Sequence, residues 1–84
     1  MRRNIPSLGA LLAFSTVAKH ESVTAAAHEL SLTASAVSRQ IALLEEQLGV
    51  ALFSRVRQRV ILTRAGRVYS ANIAQTLDKL ERQT

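Results

Sequence analysis

The chain has 84 residues, a formal net charge of +5 and no cysteine. A chain of this length forms one small domain, and its 48% apolar residues are enough for a modest core. Without cysteine there is no disulfide framework and no cysteine-ligated zinc finger. With 4% aromatic residues and no Trp, the chain is also poor in the side chains that stack on single-stranded nucleic acid.

The positive charge is concentrated in one segment of the sequence. Five arginines follow one another with no acidic residue between them: Arg55, Arg57, Arg59, Arg64 and Arg67. Such a cluster indicates a polyanionic partner, although a solvated arginine-rich strand explains the charge alone equally well.

The first predicted helix covers about residues 8–19. Pro6 and Ser7 precede it, and Ser7 is a suitable N-cap. The face predicted to be buried comprises Leu8, Leu11, Leu12, Ser15 and Ala18, widened by Phe14 and Val17.

A secretory signal peptide is the alternative interpretation of this N-terminal stretch. Arg2 and Arg3 would be its charged region and the following apolar residues its core. Ser15 and Thr16 end the apolar run early, however, and no clear cleavage site follows. The run is also shorter than the roughly 18 residues that a transmembrane helix requires.

Two further helices are predicted around a three-residue turn. The first covers about residues 24–30, is capped by Ser22 or Thr24, and contains consecutive alanines that allow close packing against another backbone. Residues 31–33 form the turn. Two helices joined so closely are typical of a helix-turn-helix.

The second of these helices begins at Thr33, its predicted cap, and ends before Gly49. Its apolar stripe comprises Val37, Ile41, Leu44 and Leu48. Arg39 lies near its front, whereas Glu45 and Glu46 lie in its last turns. This order opposes the helix macrodipole, which favours acids at the start and bases at the end. The reversal suggests that the front of the helix meets an anion.

A hairpin and a long helix complete the predicted elements. Alternating β-branched residues over 50–62 predict a short hairpin with an arginine-bearing tip, but no Asn-Gly or Asp-Gly pair defines its turn. The last helix covers about residues 64–83 and is expected to pack antiparallel against a second protomer. Its alternative is to fold back on its own domain. The predicted dimer contacts are Tyr69, Ile73, Thr76, Leu77 and Leu80.

The front of the central helix has the residue types that read a major groove. The small side chains of Ala34 and Ser35 allow the backbone to come close to DNA. Ala36 is suited to a thymine methyl, Ser38 to a base or a phosphate, and Arg39 to bidentate binding of guanine. A salt bridge or a phosphate contact is the alternative role for Arg39.

Further DNA contacts are predicted at helix starts and on the hairpin. Free N–H groups at helix N-termini favour phosphates. The predicted phosphate contacts are Ser22, Thr24, Thr33, Gln40 and Arg55. A structural ion pair is an equally good role for Arg55. At the hairpin tip, Arg57 and Arg59 are suited to the minor groove or the DNA backbone.

Catalysis has little support in the sequence. His20 and His28 are eight positions apart with a helix break between them, which is not the spacing of a zinc-binding helix. We therefore expect no enzyme activity, no metal and no cofactor. A helical protein-interaction module that uses the last helix is a rival interpretation, against which stand the acid-free arginine cluster and the reversed charges of the central helix.

These residues resemble the DNA-binding domain of LysR-type bacterial transcriptional regulators. The matching motifs are Leu11-x-x-Phe14, Ser22-x-Thr24-x-Ala26-Ala27-x-x-Leu30, Ala36-Val37-Ser38-Arg39-Gln40-Ile41, Leu44-Glu45-x-x-Leu48-Gly49, Leu52-Phe53-x-Arg55 and Leu62-Thr63-x-Ala65-Gly66. They run in the family's order over nearly the whole chain.

The resemblance implies a mainly α, winged helix-turn-helix fold with a short two-stranded β wing. The DNA-binding domain would cover residues 1–63 and a linker and dimerisation helix residues 64–84. It also implies sequence-specific binding of pseudo-palindromic double-stranded DNA by a cytoplasmic homodimer or higher oligomer that regulates transcription. Family members continue into an effector-binding domain, so we expect a DNA-binding fragment without an effector site.

The resemblance also assigns roles by position. The family residues that face the bases fall at Ala34, Ser35, Ser38 and Arg39, and the wing residue of the minor groove falls at Gln58. There the family commonly has a basic residue, preceded by a glycine where this chain has Arg57. This departure leaves open whether Arg57, Arg59 or neither enters the groove.

Overall fold

A computed structural model describes residues 7–82 of the chain and the side chains of residues 7–75. Its elements are α1 (Leu8–His20), α2 (Val23–Leu30), α3 (Ala34–Leu48), β1 (Phe53–Val56), β2 (Arg59–Leu62) and α4 (Arg64–Arg82). The two strands pair antiparallel. The mainly α, winged helix-turn-helix architecture predicted from the sequence is confirmed.

A hydroxyl side chain caps the start of each of the first three helices. Ser7, Ser22 and Thr33 each accept a hydrogen bond from the N–H three residues later, at 3.0, 3.1 and 3.1 Å. The sequence left the cap of α2 open between Ser22 and Thr24, and the structure assigns it to Ser22. Thr24 lies exposed in the first turn of α2. Because such caps satisfy otherwise orphaned N–H groups, the local sequence sets where these helices begin.

The core forms where α1 packs against the other elements. The Phe14 ring of α1 is fully buried and contacts the rings of Phe53 and Tyr69, each with ring centroids 5.3 Å apart. Val37 and Leu44 of α3 are fully buried as well. Each large apolar side chain buried in this way stabilises the fold by about 1.5–3 kcal/mol.

The buried face of α1 differs from the sequence prediction. Leu8 is 58% exposed and Leu12 is 41% exposed. The residues that α1 buries are Ala10, Ala13, Phe14, Thr16 and Val17. The small alanines let α1 come close to its neighbours, which rotates the buried face away from the two leucines. The buried Thr16 hydroxyl donates to the carbonyl of Leu12 at 2.7 Å and so remains satisfied.

The wing is a hairpin closed by a two-residue turn. Val56 and Arg59 are the last paired residues, and the turn consists of Arg57 and Gln58, with φ of 51° and 69°. Positive φ at both central residues is the mark of a type I′ turn, which glycine and asparagine usually form. The prediction of a hairpin with an arginine-bearing tip is confirmed, and the turn type that the sequence left undefined is resolved.

The start of α4 is fixed against the segment before β1. The N–H of Thr63 donates to the carbonyl of Leu52 at 2.9 Å, and the Thr63 hydroxyl donates to the carbonyl of Ala51 at 2.7 Å. Gly66 passes so close to this segment that a Cβ at its position would lie 2.1 Å from the Leu52 carbonyl oxygen. Glycine is therefore required where α4 crosses Leu52.

The first turns of α4 pack on their own domain through two residues that were predicted to contact a second protomer. Ile73 is 6% exposed within the single chain, and Tyr69 places its ring edge-on against Phe14. Because α4 crosses α1 here, Ile73 belongs to the protomer's core and the half-buried Tyr69 packs against it. A further contact of these two residues with a second protomer stays a prediction. The predicted contacts at Thr76, Leu77 and Leu80 lie outside the described side chains and stay a prediction.

Candidate nucleic-acid interface

The central helix α3 has one face in the core and the opposite face in solvent. Three residues of the predicted apolar stripe, Val37, Ile41 and Leu44, are buried, and the fourth, Leu48, is half-buried against the core. Around the helix from this stripe, the front half of α3 presents a continuous exposed surface. Short side chains dominate it, so another molecule can approach the helix backbone closely.

The predicted base-reading residues lie together on this surface. Ala34, Ser35, Ser38 and Arg39 are exposed, whereas Ala36 is half-buried. Within residues 7–75, Arg39 forms no ion pair. A salt bridge, one of the alternatives for Arg39, is therefore absent from the described part of the protein, and the guanidinium remains available for DNA.

The predicted phosphate contacts are in different environments. Ser22 is half-buried and occupied as a cap, whereas Thr24 and Thr33 are exposed at the starts of α2 and α3. The side-chain amide of Gln40 is half-buried and lies beside Gly9 near the start of α1. Thr24, Thr33 and Gln40 therefore each lie at or beside a helix start, where free N–H groups favour phosphate oxygens.

A cavity of about 210 Å³ separates α3 from the wing. Ser38 and Ala42 of α3 line one side, and Ser54 and Arg55 of β1 line the other. Arg55 is exposed and takes part in none of the ion pairs of the described side chains. The structure therefore brings Arg55 close to the base-reading candidates, although it lies far from them in sequence.

The three wing candidates do not share one environment. Arg57 and Gln58 are exposed at the tip of the hairpin. Arg59, in contrast, forms an ion pair with Glu21 at the end of α1. This difference could not be predicted from the local sequence, because Glu21 and Arg59 are 38 positions apart.

Glu45 has a structural role that was not predicted from the sequence. Its Oε2 accepts hydrogen bonds from the backbone N–H groups of Leu52, at 2.7 Å, and Phe53, at 3.2 Å. The carboxylate thereby connects the rear of α3 to the start of the wing. The sequence signal for this role was the position of Glu45 at the end of α3 where the macrodipole disfavours an acid. An acid in that position indicates a stabilising contact outside the helix.

One of the two histidines considered for catalysis, His20, lies in a surface cluster with Lys19 and Glu29 on α1 and α2. Glu29 contacts His20 Nε2 at 2.7 Å and Lys19 Nζ at 2.9 Å. Hydrogen bonds from His20 and then Lys19 hold the pKa of the Glu29 carboxyl below its usual value. No group of three potential metal ligands occurs among the described residues. The part of the chain that is described also contains no helix long and apolar enough to cross a membrane.

These features define the class of protein. A short turn joins α2 to α3, α3 presents an exposed polar front with a free arginine, and an arginine-bearing hairpin flanks it across a cavity. This arrangement is a winged helix-turn-helix domain, in which the second helix of the pair is the recognition helix.

Comparison with known proteins identifies the family. Residues 8–67 match the family described as bacterial regulatory helix-turn-helix protein, lysR family. The chain belongs to this family.

The relatives in sequence include transcriptional regulators that are much longer than this chain. The chain is 46% identical over 78 residues to the RuBisCO operon transcriptional regulator of Allochromatium vinosum, covering 89% of this chain and 26% of that protein. It is 40% identical over 84 residues to the glycine cleavage system transcriptional activator of Escherichia coli strain K12, covering 100% of this chain and 28% of that protein. The chain thus spans about a quarter of the length of the curated relatives it matches.

Solved structures of DNA complexes share the fold. The CbnR DNA-binding domain in its complex with DNA has a TM-score of 0.86 and 30% identity, covering 92% of this chain and 88% of that one. The BenM DNA-binding domain in complex with the benA site 1 DNA has a TM-score of 0.87 and 31% identity, covering 92% and 86%. The match therefore includes α4 as well as the helix-turn-helix.

Proposed function

We propose that the chain is the promoter-recognition module of a bacterial LysR-type transcription regulator and binds double-stranded DNA sequence-specifically. The observation that carries the proposal is the division of α3: its back is anchored in the core, and its front exposes a free arginine among short side chains. A helix fixed in this way enters a major groove in a defined orientation, which base-specific contacts require.

In this proposal, the residues of α3 read the bases. Arg39 donates to guanine O6 and N7, and Ser38 donates to a base or a phosphate. Ala34 and Ser35 allow close approach, and the half-buried Ala36 limits the depth of insertion. Because few long side chains are present, part of the specificity comes from the shape of the DNA rather than from direct contacts.

Residues around α3 hold the DNA backbone. Thr24 and Thr33 lie at helix starts, where phosphate oxygens are favoured. Gln40 lies beside the start of α1, and Arg55 faces the cavity between α3 and the wing. These contacts fix the register of the domain on DNA but do not distinguish sequences.

We further propose that the protein acts as a homodimer or higher oligomer on a pseudo-palindromic operator. The part of α4 beyond residue 75 is assigned to dimerisation, with contacts at Thr76, Leu77 and Leu80. Residues 1–63 then form the DNA-binding domain and residues 64–84 the linker helix. Two-fold symmetry would present two recognition helices to half-sites about one DNA turn, roughly 34 Å, apart or a multiple of it. The solved structures of related domains are complexes with DNA, which supports the DNA-binding part of this proposal.

The proposed role is binding and not catalysis, and it requires no metal or cofactor. Since the proposed binding partner is promoter DNA in a bacterium, we place the protein in the cytoplasm. The relatives are named as an operon regulator and a transcriptional activator, which supports a role in regulation without defining its sign.

Selection from a random-sequence duplex library tests the proposal. We expect the chain to enrich two related half-sites in inverted orientation. We also expect affinity to fall steeply as salt increases, because phosphate contacts release counterions. No enrichment, together with no binding to duplex DNA at low salt, would instead favour the rival protein-interaction module.

A further inference from the structure

Glu21, the residue that directly follows α1, is attached to the wing in two ways. The backbone carbonyl of Glu21 accepts a hydrogen bond from the N–H of Val60 at 3.2 Å. The side-chain carboxylate of Glu21 pairs with the guanidinium of Arg59. Glu21 adopts the left-handed conformation, with φ of 55°, in order to cap α1. One residue therefore ends α1 and holds β2.

The two wing arginines differ in the partners they have. Arg57 and Arg59 flank Gln58 in the same hairpin and both are exposed. Within the described side chains, Arg59 has a carboxylate partner and Arg57 has none. Val60, next to Arg59, is 7% exposed and anchors β2 in the core. Arg59 thus lies at the end of the turn that Val60 anchors, whereas Arg57 lies at the other end.

We propose that Glu21 is a positioning residue for the wing: it holds Arg59 on the protein, so that Arg57 is the cation that the tip of the wing presents to DNA. This inference rests on the proposed function, because it assigns the roles of two residues within a DNA-binding wing. It selects between arginines that the sequence alone leaves equivalent.

The chemistry of the guanidinium group supports this division. A guanidinium whose fork is engaged by a carboxylate has fewer N–H groups available for a phosphate or a base. Glu21 would itself repel the DNA backbone if it were unpaired, and Arg59 neutralises that charge. Because the pair carries no net charge, the wing presents a single uncompensated cation at its tip.

A double-mutant cycle between positions 21 and 59 tests the inference, with Arg57→Gln as the matched control. Arg57→Gln should weaken duplex binding about fivefold to tenfold and reduce the salt slope by about 0.9, as loss of one phosphate contact does. Arg59→Gln alone should also weaken binding, since it leaves Glu21 unpaired. The double variant Glu21→Gln/Arg59→Gln should recover to within about twofold of the parent with an unchanged slope.

The opposite result identifies Arg59 as a DNA contact. If the double variant binds as weakly as Arg57→Gln and loses the same salt slope, the effects at 21 and 59 are additive and the inference is wrong. Thermal unfolding of every variant checks that the fold is retained. It also measures the coupling between 21 and 59 without DNA, and zero coupling would overturn the ion pair itself.

The same set of measurements separates this inference from the proposed function. If the parent chain fails to bind any duplex, the proposed function is wrong, and the role of Arg57 with it. If the parent binds and the cycle is additive, only the inference about Glu21 and Arg59 is wrong.

Discussion

Glu45 in the recognition helix holds the backbone of Leu52 at the entrance to the wing, with its Oε2 2.7 Å from the Leu52 nitrogen. The same oxygen accepts from the N–H of Phe53. This contact offsets the unfavourable position of an acid at the rear of α3, where the helix dipole disfavours it. The carboxylate connects the two elements that meet DNA, α3 and the hairpin, through neighbouring backbone groups.

Loss of this carboxylate should destabilise the domain. Glu45→Ala leaves two backbone N–H groups without their acceptor, so we expect the free energy of unfolding to fall by about 1–3 kcal/mol. Glu46→Ala is the matched control, since Glu46 is exposed and forms no ion pair with another described side chain; its effect should stay within about 0.5 kcal/mol. Urea unfolding measures both. Equal effects of the two variants would contradict the role of Glu45.

Gly66 should tolerate no side chain. A Cβ there would lie 2.1 Å from the Leu52 carbonyl oxygen and 2.9 Å from Leu62 Cδ2. Because α4 or the Leu52 segment must move, Gly66→Ala should lower the free energy of unfolding by about 1–3 kcal/mol or more.

Gly9→Ala is the control for the Gly66 substitution. A Cβ at Gly9 would have its nearest contact at 3.6 Å, from the Gln40 side chain, which is an ordinary packing distance. Since Gly9 lies in α1, alanine should stabilise the protein by about 0.5 kcal/mol. The thermal unfolding midpoints of Gly66→Ala and Gly9→Ala should therefore move in opposite directions. A shift of both midpoints in the same direction would contradict the close approach at Gly66.

The wing turn should gain stability from glycine. Gln58 has a φ of 69°, which is unfavourable for a residue with a Cβ. We expect Gln58→Gly to raise the free energy of unfolding by about 0.5–1 kcal/mol. Gln47→Gly in α3 should do the reverse and lower it by about 0.5–1 kcal/mol, because helical residues lose stability on replacement by glycine. Chemical unfolding of the pair measures the contrast, and destabilisation by Gln58→Gly would argue against a left-handed turn.

Acid should weaken the contact between α1 and α2. Hydrogen bonds from His20 and Lys19 lower the pKa of the Glu29 carboxyl below its usual value of 4.5. A carboxyl whose pKa is lower in the folded state contributes stability above its unfolded pKa, and this contribution is lost as pH falls through the folded pKa. Glu29→Gln should therefore flatten the pH dependence of the free energy of unfolding below pH 4.5 and leave it unchanged at alkaline pH. Thermal midpoints across acidic pH measure this, and an unchanged acid slope would contradict the assignment.

The helix-turn-helix and the hairpin could be predicted because their signals are local. Thr33 caps α3, and Gly49, with a φ of 73°, ends it. Residues of these types commonly begin and end helices without help from tertiary contacts. The apolar stripe of α3 has the helical period and is buried as expected. Likewise, alternation on both sides of the arginines predicted the wing.

The remaining features depend on contacts between distant parts of the chain. The buried face of α1 is set by how closely Ala10 and Ala13 allow its neighbours to approach, and periodicity alone placed the two exposed leucines on that face. In the sequence, Tyr69 and Ile73 have the spacing of an apolar stripe without a partner in the domain. Only the structure shows that α4 crosses α1 at these two residues. The pairing of Glu21 with Arg59 spans 38 positions, so no local pattern separates Arg59 from Arg57.

The most direct test of sequence reading by α3 compares Arg39→Ala with the parent on two duplexes: the selected operator and a scrambled sequence of equal length. The account predicts that the ratio of the two affinities falls by the equivalent of about 1–3 kcal/mol, because a bidentate contact to guanine is lost. Gln47→Ala, at the rear of the same helix, should leave the ratio unchanged. An equal loss of affinity on both duplexes would contradict the account, since Arg39 would then contact only phosphate.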